Sequence, residues 1–319
     1  MRNFKQVGMT LMELMISMAI GVFLLGGVTV AYLAMRTTTA ETIALSEMQQ
    51  NGRMALSLLT TDIQQAGFRG MLRTFNTNVI APAPFAADCN AGLNGGSFPQ
   101  NGLGEFPVIW GRTLAVAGGA IGCVNNAVAN SDILQIKRAT GPALPDPLPV
   151  GALDASQFYL EASASEGNIF AGNAGPLGIA QAEIWPYRHH VYFVTTENVD
   201  GIAVPVLARM ELINNNGPQM QRAMLLDGIE RIRFAFGADM NSDNQIDGYL
   251  DANNMPAALW QADTKVMAVR VNVLVRASRP DNDYQNTNSY DLGDGVLFTP
   301  NDNFRRMLFS STVHITNRR

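Results

Sequence analysis

From Met9 to Met35 a single side chain carries charge, Glu13, and Leu14–Met35 gives 22 uncharged residues in succession. About 20 such residues are enough to span a bilayer. A carboxylate in that setting is costly, and it persists where a cation or a hydrogen-bond donor meets it. The chemistry Glu13 offers is therefore charge pairing in an apolar medium. Eight residues, Met1–Gly8, precede the run and carry Arg2 and Lys5, positive charges that keep this end cytoplasmic. A secretory signal has a shorter apolar core, about 7–15 residues, followed by a small-residue cleavage site. Here the run is longer and no Ala-x-Ala site follows. The plain alternative is a single-pass anchor with an incidental acid.

A second group of oxygen-bearing side chains is Asp239, Asn241, Asp243, Gln245 and Asp247, at every second position. This is the spacing of a calcium loop, in which positions 1, 3, 5 and 9 turn to one ion and position 7 offers a carbonyl. Asn244 stands where glycine is usual, and Leu250 where a bidentate Glu is usual, so Asp251 is the nearest substitute. The alternative is an Asp/Asn-rich turn joining two strands. A further acidic stretch, Asp281, Asp283, Asp291 and Asp294, reads as a solvated loop. Arg305, Arg306, Arg318 and Arg319 read as a solvated basic cluster, with contact to a partner's acids as the alternative.

Cys89 and Cys123 are the two cysteines. Paired, they would close a loop of about 35 residues and contribute roughly 3–4 kcal/mol. Two free buried thiols are the alternative. Neither lies in a Cys-x-x-Cys, so no redox motif or zinc knuckle is indicated. The three histidines, His189, His190 and His314, make no His-Glu-x-x-His, and there is no Gly-x-Ser-x-Gly elbow or Walker loop. Neighbours in a strand point to opposite faces, so His189 and His190 do not share a metal. Nothing here amounts to an active site, and a non-catalytic protein is expected. A net charge of −5 gives no nucleic-acid footprint.

The elements that position these residues follow from periodicity. Beyond Met35, apolar residues recur at Ile43, Leu45, Met48, Ala55, Leu56, Leu59, Ile63 and Ala66, near the helical period. An amphipathic second half of the same helix is expected, ending near Gly67–Gly70. Residues 71–104, rich in Asn, Gly, Pro and Ala, read as loop. Strand patterns fall at Glu105–Trp110, Ile133–Lys137, Gln157–Glu161, His189–Thr195, Val204–Leu212, Ile229–Phe236, Val266–Arg276 and Met307–Ile315. Val269, Val271, Val273 and Val275 alternate with Arg270, Asn272, Leu274 and Arg276, and Ile232, Phe234 and Phe236 with Arg231, Arg233 and Ala235. Such alternation predicts an antiparallel sheet with one face in solvent. The fold class expected is α+β: a long N-terminal helix, transmembrane then amphipathic, packed on an antiparallel sheet with long loops.

Gly8-Met9-Thr10-Leu11-Met12-Glu13-Leu14 resembles the class III signal of type IV prepilins and pseudopilins, although Phe is more usual in that family at the position of Met9. The resemblance implies that a prepilin peptidase cuts between Gly8 and Met9 and methylates the new terminus. The cut would leave the apolar run on the mature chain and create an ammonium at Met9. In a stack of such helices, Glu13 of one subunit would neutralise the Met9 amine of the next, a head-to-tail contact that builds open filaments. The segments Leu226–Phe234, Val269–Arg276 and Arg305-Arg306 resemble the PilW family of minor type IV pilins. That resemblance divides the chain into a leader 1–8, a membrane and filament-core helix 9–35, its amphipathic continuation 36–68 and a periplasmic, later extracellular, β-rich domain 69–319. It implies a subunit that primes and joins type IV pili, supporting adhesion, twitching motility or DNA uptake. Its partners would be other minor pilins, the major pilin, the peptidase, the inner membrane before assembly and a tip adhesin. Two alternatives stand beside it: a pseudopilin of type II secretion, and a membrane-tethered periplasmic calcium-binding module or enzyme.

Overall fold

The computed structural model describes residues 9–75, 78–118, 121–199, 201–261 and 265–317. The leader with Gly8, and Arg318 and Arg319, lie outside the described residues. Two compact units part between Glu47 and Met48, and one helix, α1 (Leu11–Gln64), runs through both. The helix stops a few residues earlier than periodicity predicts. Gly67 takes a positive φ of 74°, and its N–H bonds the carbonyl of Lys137 at 3.1 Å instead of continuing the ladder.

In the first unit the apolar side chains of α1 are exposed around the whole helix, Leu11, Met18, Phe23, Val28 and Met35 among them. Several of its threonine hydroxyls are satisfied internally: Thr29 donates to Leu25 O (2.7 Å), Thr39 to Met35 O (2.8 Å) and Thr42 to Thr38 O (2.8 Å). Backbone and hydroxyl groups closed within one helix are what an apolar surrounding requires. Ile43 and Leu45, assigned to the buried stripe by spacing, are exposed. The stripe begins at Met48 and continues through Ala55, Leu59, Ile63 and Ala66.

The second unit follows in the order β1 (Val79–Ile80), β2 (Ile109–Thr113), β3 (Asp132–Ala139), β4 (Phe158–Ala162), β5 (Gly167–Ala171), β6 (Glu183–Val199) and β7 (Ile202–Asn214). Then come β8 (Pro218–Asp227), β9 (Ile229–Ala238), β10 (Gly248–Asp251), the short helix α2 (Ala257–Trp260), β11 (Val266–Arg276), β12 (Tyr290–Asp291), β13 (Leu297–Phe298) and β14 (Arg306–His314). An eight-stranded sheet runs β1-β5-β4-β6-β3-β2, with β7 on β6 and β8 on β7. Strand β6 is 17 residues long. Its first part pairs with β4 and its second with β7, while β3 lies along its other side. A four-stranded antiparallel sheet runs β10-β9-β11-β14. The stripe of α1 joins one core with Ile232, Phe234 and Phe236 of β9 and the five valines of β11. Phe309 of β14 lies over Gly52, where an added Cβ would meet its ring.

The other face of the four-stranded sheet is open to solvent at Arg270, Leu308, Ser310 and Thr312, as the alternation predicted, and covered elsewhere. Leu274, Asn272 and Arg233 are buried, because the chain between β11 and β14 folds across them. Asp294 pairs with Arg233 at 3.0 Å, Phe298 lies 3.7 Å under the Arg231 guanidinium, and Phe304 4.1 Å under that of Arg276. Asp281 and Asp294 are thus arginine partners rather than solvated acids. The Arg305-Arg306 pair is likewise neutralised internally: Arg305 by Asp281 (2.8 Å), and the buried Arg306 by Glu230 and Asp302. The two large sheets are tied where Asp132 of β3 accepts Phe234 N–H (2.8 Å), Thr113 Oγ1 (2.7 Å) and Arg233 Nη1 (3.2 Å). Burial pushes the Asp132 carboxyl up to about 6, against the pull of Arg233.

Candidate assembly site

Glu13 sits in the first turn of α1. Its backbone N–H donates to Thr10 Oγ1 (3.3 Å), while Thr10 N–H and Oγ1–H both donate to Glu13 Oε2 (3.1 Å each). This is a reciprocal capping box, in which the two residues close each other's free groups at the helix start. The carboxylate also lies at the positive end of the helix dipole. Both contacts end on Oε2, and Oε1 takes no hydrogen bond among the described residues. Met9 directly precedes the box and is exposed. Thr10 was not singled out from the sequence, although Thr-x-x-Glu ahead of an apolar run is its signature.

In the second unit a buried ionic network fixes the end of α1 against the eight-stranded sheet. Asp62 accepts from Arg138 Nε of β3, from Tyr192 Oη of β6 (2.7 Å) and from His190 Nδ1 (2.8 Å). Gln65 Oε1 takes a second Arg138 proton at 2.6 Å. Behind His190, Glu211 Oε1 stands 3.6 Å from Nε2. Burial works to raise the Asp62 carboxyl, but His190, Arg138 and Tyr192 outweigh it and hold it well below the usual range. His190, with Arg209 and Arg188, holds Glu211 down at about 2. Asp62 is one of four acids on α1 and nothing in the sequence marks it out; only the fold reveals its three partners.

The histidines do face opposite ways, and both are buried. His189 Nδ1 meets Ser97 Oγ at 2.7 Å and its Nε2 meets Gln135 Nε2 at 2.6 Å. Asp88 bonds Ser97 (2.5 Å) and not the histidine. Residue types of a hydrolytic triad are present, but the acid does not orient the base, and Ser97 is fully buried. Burial, then the charge of Lys137, holds the His189 imidazole well below its ordinary pKa.

The acidic loop between β9 and β10 is closed on itself. Asp239 accepts the N–H of Ser242 (2.5 Å) and Asn244 (3.1 Å). Asp247 accepts those of Met240 (2.6 Å) and Asn241 (3.2 Å) and the Asn241 side chain (3.0 Å). Asp243 accepts Gln245 N–H at 2.8 Å, so the Gln245 backbone serves the turn. Asp251 turns instead to Asn253 and Asn254. Lys265 stands 3.8 Å from Asp239, a cation beside the first expected ligand. Among the described residues no three His, Cys, Asp or Glu side chains gather as a metal site. Cys89 and Cys123 form a disulfide with Cα atoms 4.8 Å apart.

The family model described as type IV pilus-assembly protein W matches residues 191–317, which include β7–β14 and the covered arginine face. Over these residues the chain is similar to that family. No curated protein and no solved structure matches the chain.

Proposed function

We propose that the chain is a minor pilin, a non-catalytic subunit held in the inner membrane by the first part of α1 and then drawn into a type IV pilus. The reading is carried by the PilW-type segment at residues 191–317 standing on the same chain as an exposed apolar stretch, Met9–Met35, whose one acid, Glu13, is in the first turn of α1. The mechanism is packing of apolar helices, registered by charge. Cleavage after Gly8 supplies an ammonium at Met9. Glu13 keeps Oε2 for its own cap, and Oε1 receives the ammonium of a neighbouring subunit. An ion pair out of water is far stronger than one at a surface, so a single pair per subunit sets axial position. Partners on this reading are other minor pilins, the major pilin and the prepilin peptidase, with initiation of the filament as the task.

Mass spectrometry of the mature protein tests the first step and should find an N-methylated Met9 terminus. An intact Met1 terminus on protein recovered from membranes overturns it. Sheared pili test the second: Glu13→Ala should leave the second unit folded and be absent from the filament fraction, and its normal recovery there removes the register role.

A further inference from the structure

Residues 82–104 are almost entirely irregular, yet much of the buried polar chemistry of the second unit is committed to holding them. Asp88 receives both the N–H (2.7 Å) and Oγ (2.5 Å) of Ser97. Tyr187 Oη donates to Ser97 O at 2.7 Å. Gln135 Nε2 donates to the carbonyls of Cys89 and Gly95, each at 2.9 Å. The fully buried Lys137 donates to Gly95 O (2.9 Å) and Pro107 O (3.1 Å). The disulfide ties the same coil to Cys123. An apolar core would hold a loop at less cost than a buried lysine. Polar networks of this kind rigidify and specify one conformation, and a rigid irregular segment is where binding residues are usually carried.

What this frame holds is a cavity of about 260 Å³. We propose that it is a binding site for a neutral carbohydrate, seating one sugar ring of a glycan. Phe85 and Phe98 form an aromatic wall, their rings 6.3 Å apart. Asn90 and Gln100 supply amides at the lining. Asn90 Nδ2 and Gln100 Oε1 make no hydrogen bond among the described residues, so one donor and one acceptor remain for a ligand. Gly95, Gly96 and Gly122 also line it, and Gly96 and Gly122 pack so closely on Asp88 that a Cβ would come within 2.5 Å of its Oδ2 and 2.8 Å of its O. Among the described residues the only charged one at the lining is Asp88, and Ser97 bonds both of its oxygens. A metal would lack free anionic oxygens here, a phosphate would lack cations, and an alkyl chain would leave the amides unpaired. An uncharged ring with hydroxyl edges and an apolar face matches all three walls. The site lies outside residues 191–317 and does not depend on entry into a filament.

Saturation-transfer NMR on the full chain tests this, in a detergent without a sugar headgroup, with glucose, galactose and N-acetylglucosamine as probes and glucuronate as the charged comparison. At least one neutral sugar should receive transfer and glucuronate markedly less. Asn90→Ala with Gln100→Ala should weaken binding roughly tenfold, as loss of two hydrogen bonds implies. Ala86→Trp, at an exposed position of the rim, should abolish it by filling the mouth. Circular dichroism and an intact disulfide serve as the fold control. Transfer to none of the neutral sugars overturns the proposal, as does equal transfer to glucuronate, or transfer that survives both variants.

Discussion

Asp62→Asn is the sharpest test of how α1 is seated in the second unit. The substitution keeps the side-chain shape and removes the charge. It leaves Arg138 with only the neutral Gln65 Oε1 as a side-chain acceptor and turns an amide toward groups that are themselves donors. Asp62 and Arg138 are both buried. Breaking one partner of a buried pair costs about 3–5 kcal/mol. At about 2–4 °C per kcal/mol for a domain of this size, the apparent Tm in detergent micelles should fall by roughly 10 °C at pH 7, read by circular dichroism. The pH dependence adds a second readout. The folded carboxyl titrates below its unfolded value of about 3.9, so its contribution is complete above that pH and is lost as pH falls through and below it. The gap between parent and variant should therefore narrow as pH falls below about 4. A Tm within about 2 °C of the parent at pH 7, or a gap that widens in acid, would refute the reasoning. Replacing Asp62 and Arg138 together by Leu and Met should recover much of the loss, because no charge is then stranded.

Gly52→Ala should lower Tm despite a helix-propensity gain of about 1 kcal/mol, because the new methyl meets the Phe309 ring and overpacking costs about 1–3 kcal/mol; Gly26→Ala, with open space around it, should leave Tm of the second unit unchanged. Cys89→Ser with Cys123→Ser should destabilise the unit by roughly 3–4 kcal/mol, measured by urea titration, and an effect under about 1 kcal/mol would mean that the buried polar bonds alone hold the coil. Calcium followed by chelator should leave Tm unmoved, since the carboxylates of the acidic loop are spent on its own N–H groups; a calcium-dependent rise of several degrees would show that the loop rearranges around the ion. Glu13→Gln keeps a capping acceptor and loses the charge, whereas Thr10→Ala weakens the cap and keeps it. Under the register mechanism the Gln variant should be missing from sheared pili and the Ala variant present, and the reverse pattern would assign Glu13 to helix capping alone.

Strand β11 was readable to its last residue because Val269, Val271, Val273 and Val275 alternate with Arg270, Asn272, Leu274 and Arg276, three of them polar. Strand β8 was not, because Pro218, Gln219, Gln221 and Arg222 look like loop. It is an edge strand, paired only with β7, where proline and exposed polar side chains are tolerated. The covered arginine face escaped notice for a related reason. Period-two alternation reports that one face is polar, not what folds over it, and guanidinium groups over aromatic rings leave no periodic trace. Ile43 and Leu45 kept the helical period but lie ahead of Met48, where burial begins. Spacing alone cannot say where along a helix the partner surface starts.

The two acids near the ends of α1 illustrate opposite electrostatic solutions. Glu13 stands at the helix start, where backbone N–H groups and the dipole favour an anion, and it needs only Thr10 to hold it in place. Asp62 stands two residues before the end, where the free carbonyls and the dipole disfavour an anion. A helix alone would not keep a buried carboxylate there. It is kept because β3 and β6 bring Arg138, His190 and Tyr192 to the same point. An isolated helical peptide of this sequence should therefore gain helicity at its C-terminal end when Asp62 becomes Asn, the opposite sign to the effect in the folded unit. That reversal separates the local cost of the residue from its tertiary gain, and a helicity loss in the peptide would show that Asp62 favours the helix on its own account.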